Sequence, residues 1–369
     1  MTSSTDGDII DARQRLCDLL HEPASQAARI TPAILDAARE EGVHLLLAER
    51  LHLPALDDDR RAAAAIGAAR EAELRTVLGA LAEAGARPIL IKGAALAYTH
   101  YRRPELRPRD DTDMMIPAAD REAVARALAP LGYQCPPEAD GELIIAQLHF
   151  DKRDRFGILH ALDVHWRISN VRMFAGALTC EELARDAVPL PALGPHAWGT
   201  SARHALLVAC VHRVAHHADT RNLLWLYDIH LLARGDDAEP AAFAALASAR
   251  GMREVCARGL TLAAEAFGGI DPQWIAALSA PGSRGAPGGP GGNDEPAAAF
   301  LRGRLSLADI LKANLAATPG WTTRIRLICE HLFPQRAFIY ERYGTRQPAA
   351  LPFLYLHRIV SGMPKWFRR

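Results

Sequence analysis

One stretch limits what this 369-residue chain can fold into more than any other: Ile89–Ile116, ILIKGAALAYTHYRRPELRPRDDTDMMI. Upstream of it the apolar residues recur at helical spacing; here the period changes. Pro88–Lys92 is short and apolar and runs into Gly93, which predicts a buried strand and a turn. Ala94–Tyr101 predicts one short helix. A cationic segment follows, with Arg102, Arg103, Arg107 and Arg109 against a single Glu105. Asp111–Ile116 predicts a second strand and Ala118–Leu131 a second helix. Glu142–Phe150 and Gly157–Ile168 predict two more strands, joined by the charged turn Asp151–Arg155. Strand, helix, strand, helix and hairpin in this order make a mixed α/β unit.

Both flanks predict helices. Ile9–His21 has helical spacing, and Thr31-Pro32 marks the start of a helix running towards Leu51. Asp57–Gly85 is a long Ala/Glu/Arg segment with Leu74, Val77, Leu78 and Leu81 on one face, stopped at Gly85. Beyond Thr200 the segments Ser201–Ala218, Leu223–Ala233, Pro240–Arg250 and Arg253–Phe267 carry apolar faces. Pro281–Gly292 is dominated by Gly and Pro and predicts a loop or linker. The expected division is a helical segment 1–85, an α/β core 86–175, a helical substrate domain 176–280, a Gly/Pro-rich loop 281–294 and a helical region 295–369. The fold class expected is α+β, a small mixed sheet with flanking helices.

Composition supports a folded, helix-rich chain with a small-residue core, since 49% is hydrophobic and 6% aromatic. Lys and Arg number 43 and Asp and Glu 43. That balance argues against nonspecific grip on duplex DNA, which comes from neutralising many phosphates. The cysteines (Cys17, Cys135, Cys180, Cys210, Cys256, Cys329) contain no C-x-x-C pair. Met1–Asp8 is polar and acidic, without a basic start to an apolar run. No apolar stretch approaches the roughly eighteen residues of a spanning helix. The expectation is a cytoplasmic protein with no membrane partner.

Alternation along a strand puts Asp111 and Asp113 on one face, about 6–7 Å apart along the chain, with Thr112 and Met114 on the other. Two such carboxylates repel unless a cation sits between them, and hard oxygen ligands suit Mg²⁺ or Mn²⁺ rather than zinc. In His160–Arg167 the residues Ala161, Asp163, His165 and Arg167 share a face. If this strand pairs beside Asp111–Ile116, Asp163 joins the other two. Three carboxylates around two metals serve phosphoryl chemistry on a triphosphate. Lys92, Gly93, Arg107 and Arg109 are candidates to hold the phosphates. Ion pairing with the acids is the plainer role for the cations.

The region resembles the nucleotidyltransferase superfamily related to DNA polymerase β. It is similar, more closely, to a bacterial family known mainly as uncharacterised nucleotidyltransferases. The residues that carry the resemblance are Leu90-Ile91-Lys92-Gly93, Tyr101, Arg107-Pro108, Asp111-x-Asp113 and Asp163-x-His165-Trp166. His212 and Arg221 through Trp225 to Asp228 follow, and then Leu332-Phe333-Pro334 and Arg342-Tyr343-Gly344. It spans most of residues 40–360. The resemblance implies transfer of a nucleoside monophosphate from an NTP such as ATP to an acceptor, with Mg²⁺ or Mn²⁺ at Asp111, Asp113 and Asp163. A small molecule or peptide is favoured as acceptor over long nucleic acid. His165, His212, Arg221 and Asp228 are then possible substrate contacts or supports. Two departures stand out. The turn is Gly93-Ala94 where the superfamily usually has Gly-Ser or Gly-Gly, and the gap from Gly93 to Asp111 is long.

Other readings compete. His212 and His216, four apart, with His217 and Asp219 nearby, suggest a metal-dependent hydrolase, but no H-E-x-x-H and no adjacent His-Asp pair is present, and histidines packed between helices are the favoured reading. The same carboxylates could serve a kinase, or a nucleotide-binding sensor without turnover. The basic end Lys365–Arg369 reads as a solvated tail.

Overall fold

The computed structural model describes residues 3–21, 30–136, 141, 143–279, 295–303 and 305–366. The Gly/Pro-rich stretch 281–292, Glu142 and residues 367–369 lie outside them. Four helices come first: α1 (Ser3–His21), α2 (Pro32–Glu40), α3 (His44–Leu51) and α4 (Asp57–Glu83). The single helix expected from Thr31 to Leu51 is two. Thr31 caps the start, its hydroxyl accepting from the Ile34 amide, but the chain reverses at Gly42, whose φ of +73° is easy only for glycine. The reversal has a use. The Glu41 carbonyl accepts from the Leu224 amide at 3.3 Å and its carboxylate from the Leu223 amide at 2.7 Å, which docks the N-terminal helices on a later one.

The sheet has six strands in the order β3-β4-β2-β1-β6-β5. These are β1 (Ile89–Leu90), β2 (Asp111–Met115), β3 (Gln147–Arg153), β4 (Leu159–His165), β5 (Val188–Pro189) and β6 (Trp198–Gly199). β1 is antiparallel to β2, β2 is parallel to β4, and β3–β4 is a hairpin. The hairpin differs from expectation. Asp151–Arg153 is strand, paired to Ala161–Leu159, so the turn shrinks to the residues between Arg153 and Leu159. Asp154 tightens it: its carboxylate accepts from the Phe156 and Ile158 amides at 2.8 and 2.9 Å, beside the backbone bonds that join Asp154 to Ile158 and Gly157. Two-residue strands β5 and β6 extend the sheet beyond the stretch read as α/β; β6 runs parallel to β1.

Short helices α5 (Lys92–Thr99) and α6 (Arg121–Leu128) lie within the α/β unit, and α7 (Arg172–Ala175) and α8 (Cys180–Arg185) follow it. Then come α9 (Ala202–Ala215), α10 (Leu223–Arg234), α11 (Pro240–Ala249), α12 (Arg253–Phe267) and α13 (Gln273–Ser279). The last four are α14 (Leu307–Ala316), α15 (Trp321–Leu332), α16 (Arg336–Tyr343) and α17 (Leu351–Trp366). No helix among the described residues is long and apolar enough to cross a membrane.

Strand alternation divides the core in two. Leu90, Met114, Leu162 and Val164 pack with Leu74, Val77, Leu78 and Leu81 of α4 and Val124 and Leu128 of α6. Ile89, Ile91 and Met115 instead join the large cluster built on α9, α10 and α12. Asp111 and Asp113 share the parity of Met115, so they sit on the face turned to the helical half.

Candidate active site

The parallel pairing of β2 with β4 sets Asp113 opposite Asp163 and Met115 opposite His165. Ligand atoms of Asp113, Asp163 and His165 lie within 4.8 Å of one another, the one compact group of this kind among the described residues. His212, His216 and His217 form no such group. Asp111 stands two residues upstream on the same face and lines the same cavity.

Asp113 is nearly inaccessible, and its Oδ1 takes two donors. The Lys92 ammonium lies 2.6 Å away and the His165 Nε2 2.9 Å away. Burial alone would raise the Asp113 pKa, but Lys92 and then His165 outweigh it and hold the carboxyl well below the ordinary range. Lys92 reaches this place from a left-handed backbone, φ +53°, at the first position of α5. Such a conformation in a non-glycine residue is strained and marks functional segments more often than others. Burial, then Lys92, lowers the His165 pKa, so its ring is neutral and donates through Nε2. Its Nδ1 is buried without a partner.

Asp163 is clamped from β3. Its Oδ1 accepts from His149 Nδ1 at 2.7 Å and its Oδ2 from Gln147 Nε2 at 2.8 Å. The His149 Nε2 in turn meets Asp151 at 2.9 Å. Gln147 and His149 carried no motif. The signal for them was alternation, since Gln147, His149 and Asp151 share the face of β3 that flanks Asp163. Asp111 is the acid without a direct cation. Burial first, then the charges of Asp113 and Asp163, push its pKa up to about 6.

The cationic residues divide. Arg107 turns from the carboxylates to a buried pair: its Nε and Nη2 donate to Asp228 at 2.9 and 2.8 Å, and the Tyr101 hydroxyl donates to the same carboxylate at 2.7 Å. Desolvation opposes the Arg107 charge, but Asp228 outweighs it. Burial and Asp228 together push the Tyr101 phenol well above its usual value, which keeps it a donor. This cluster ties the loop before β2 to α10. It also explains Gly93, whose φ is unexceptional: a Cβ there would lie 3.1 Å from the Arg107 guanidinium carbon. The glycine makes room for an arginine, and Lys92 bears the unusual backbone. Arg109 lies over the Tyr98 ring, 5.7 Å from its centre, and lines the cavity.

Opposite the carboxylates stands a wall from α9 and α10. His212 Nε2 and His217 Nε2 are 3.1 Å apart, and the His217 ring lies 3.9 Å from that of Trp225. Burial and then Lys92 lower the pKa of all three histidines, His216 to about 4, so the wall is neutral. The chain turns here through Ala218 and Asp219 at φ +51° and +57°. Arg213, fully buried, and Arg258 both bind the Asp219 carboxylate and hold the turn. Arg221 is exposed outside the cavity, its carbonyl accepting from Arg13. The cavity between the walls measures about 740 Å³, with Glu40, Glu41, Gly42 and His44 along a third side.

Search of curated proteins finds no match to this chain. A family model described as uncharacterised nucleotidyltransferase matches residues 23–268. The match takes in the whole sheet and the helices α2 to α12; Leu332-Phe333-Pro334 and Arg342-Tyr343-Gly344, part of the resemblance read above, lie beyond it. It covers well over half of the chain, from α2 through both walls of the cavity, and the chain belongs to this family of uncharacterised nucleotidyltransferases.

Proposed function

We propose that the chain transfers a nucleoside monophosphate from an NTP to an acceptor and releases pyrophosphate, in the manner of polymerase β-like enzymes. One observation carries the reading: the β2–β4 register places Asp113 beside Asp163, with Asp111 on the same face, at the floor of a cavity large enough for a nucleotide. The family to which the chain belongs supports the reaction type.

The residues fit a divalent cation. Two carboxylates and an imidazole already converge within 4.8 Å, and Asp111 adds a carboxylate whose pKa burial and the neighbouring acids raise despite Lys92. Asp111, Asp113 and Asp163 would hold Mg²⁺ or Mn²⁺, which when bound neutralises triphosphate charge and acidifies an attacking hydroxyl. The chain's own groups do the rest. Lys92 donates to phosphate oxygens once released from Asp113. His149 and Gln147 hold both oxygens of Asp163 in place. Neutral His212, His216 and His217 line the acceptor's side of the cavity without adding charge. The acceptor oxygen or nitrogen bonds to the α-phosphorus, the bond to the β-phosphate bridging oxygen breaks, and the acceptor's proton is lost. A cavity walled on three sides suits a small molecule or an extended peptide better than a duplex.

The test is incubation with Mg²⁺ and each NTP in turn, with a cell extract as acceptor source. The expected result is pyrophosphate release and a product heavier by one nucleoside monophosphate, both abolished in a folded Asp113→Asn variant. A product heavier by one phosphate alone makes the protein a kinase. Tight NTP binding without pyrophosphate from any acceptor makes it a sensor.

A further inference from the structure

The balanced charge of the chain is the sum of two unbalanced parts. Residues 321–369 hold nine Lys or Arg and two acids, Glu330 and Glu341. Taken from totals of 43 and 43, that leaves 34 basic and 41 acidic residues in 1–320. After Glu341 no acid occurs. The same region gathers exposed apolar side chains. Of the ten large hydrophobic residues exposed among the described residues, seven are Trp321, Ile325, Ile328, Phe333, Phe353, Leu356 and Val360.

Their arrangement is ordered. Trp321, Ile325 and Ile328 follow one another at four and three residues along α15, and Phe353, Leu356 and Val360 at three and four along α17, so each set forms a stripe. The opposite side of α17 is bonded inward: the Tyr355 hydroxyl donates to the Pro334 carbonyl at 2.7 Å, and Arg358 to the His331 carbonyl at 2.8 Å. Those bonds fix which face of α17 is left outside. Phe353 is 74% exposed and Trp321 73%, far from the level of a core side chain.

We propose that this C-terminal helical region is a docking surface for an anionic lipid bilayer, with α15 and α17 lying in the interface plane. Apolar stripes with tryptophan and phenylalanine, in a region rich in arginine and almost free of acids, match what an interfacial helix buries and what it offers to anionic headgroups. Nucleic acid fits less well, because phosphate contact needs the cations but finds no use for Ile325, Leu356 and Val360. A second copy fits less well too, since both faces would bring the same positive charge. That no helix among the described residues could span a bilayer does not bear on this, as a helix lying on the surface needs no span. The inference is independent of the chemistry at Asp113.

The experiment is sedimentation of the full chain with vesicles of phosphatidylcholine alone, or with about a third phosphatidylglycerol. Binding at least about tenfold tighter to the anionic vesicles is expected, weakening with salt. The tryptophan emission should shift to the blue on binding, as Trp321 leaves water. The triple variant Phe353→Ser, Leu356→Ser, Val360→Ser, all exposed, should lose about tenfold in vesicle affinity while its melting temperature holds. Arg342→Glu, Arg346→Glu, both exposed, should lose much of the preference for anionic vesicles. Failure to bind either vesicle overturns the proposal, as does equal binding by the triple serine variant. Capture by an oligonucleotide in place of vesicles, or a dimer that the serine variant abolishes, overturns it as well.

Discussion

The Lys92 ammonium lies 2.6 Å from Asp113 Oδ1, so a protein cation stands within the carboxylate group that would hold a metal. Lys92 and a metal are then alternatives for the charge of Asp113. Lys92→Ala leaves a buried carboxylate with His165 as its remaining donor. The loss should be about 3 kcal/mol in metal-free protein, as when one partner of a buried pair is removed. Mn²⁺ should restore much of that loss, so the rise in melting temperature on adding the metal should be larger for the variant than for the parent chain. Equal rises would separate Lys92 from the metal site. Turnover should fall in the variant even with metal, because the phosphates lose a donor.

Asp111 gives the site its pH dependence. Its pKa is raised from 3.8 to about 6 by burial and by the neighbouring carboxylates. A raised acid favours the folded state fully below its unfolded value and loses that contribution as pH climbs through 6. Ionised Asp111 therefore strains the metal-free protein above pH 6. Asp111→Asn should stabilise it at pH 8 by on the order of 2 kcal/mol and leave it unchanged at pH 3.5. The same substitution should abolish turnover, a trade of stability for function. Urea melts at the two pH values check the first part, and pyrophosphate release the second.

Several of these relationships are legible in the sequence and others are not. Alternation alone puts Asp111 with Asp113, and Asp163 with His165, because the strand period is 2. What the period cannot say is which strands are neighbours. The parallel partnership of β2 and β4, which brings the two pairs together, is a tertiary fact. Arg107 shows the converse. A run of arginines before paired acids reads locally as a phosphate grip, yet Arg107 spends its fork on Asp228, 121 residues away. Nothing in the spacing marks that partner. Alternation puts Gln147 and His149 on one strand face, but that both bond to Asp163 depends on the β3–β4 register, which it does not give. The break at Gly42 was missed because the apolar spacing continues through it, whereas the backbone there needs a positive φ.

The Gly93–Arg107 contact can be measured directly. Gly93→Ala brings a methyl group within 3.1 Å of a guanidinium that cannot retreat, since Asp228 and Tyr101 hold it. Overpacking of this kind costs roughly 1–3 kcal/mol. Removing the guanidinium makes room, so Gly93→Ala should cost little in an Arg107→Ala background, although that background is itself destabilised by leaving Asp228 buried and unpaired. A double-mutant cycle should show coupling of about 1 kcal/mol or more. Additivity would mean that Gly93 answers to some other neighbour.

His149 ties metal binding to protonation from the other side of the site. Partial burial lowers its pKa, but the Asp163 and Asp151 carboxylates prevail, and it lies above the ordinary 6.5. A raised histidine contributes stability fully below its unfolded value and loses it as pH rises through the folded one. Metal-free parent protein should therefore melt higher than His149→Ala below pH 6.5, with the difference closing above the folded-state pKa. The ring is over a third exposed, so a shift of only a few degrees is expected. The protonated ring also competes with a cation for Asp163. Mn²⁺ affinity should then fall more steeply with decreasing pH in the parent chain than in His149→Ala, and titration calorimetry at pH 5.5 and 7.5 measures that difference.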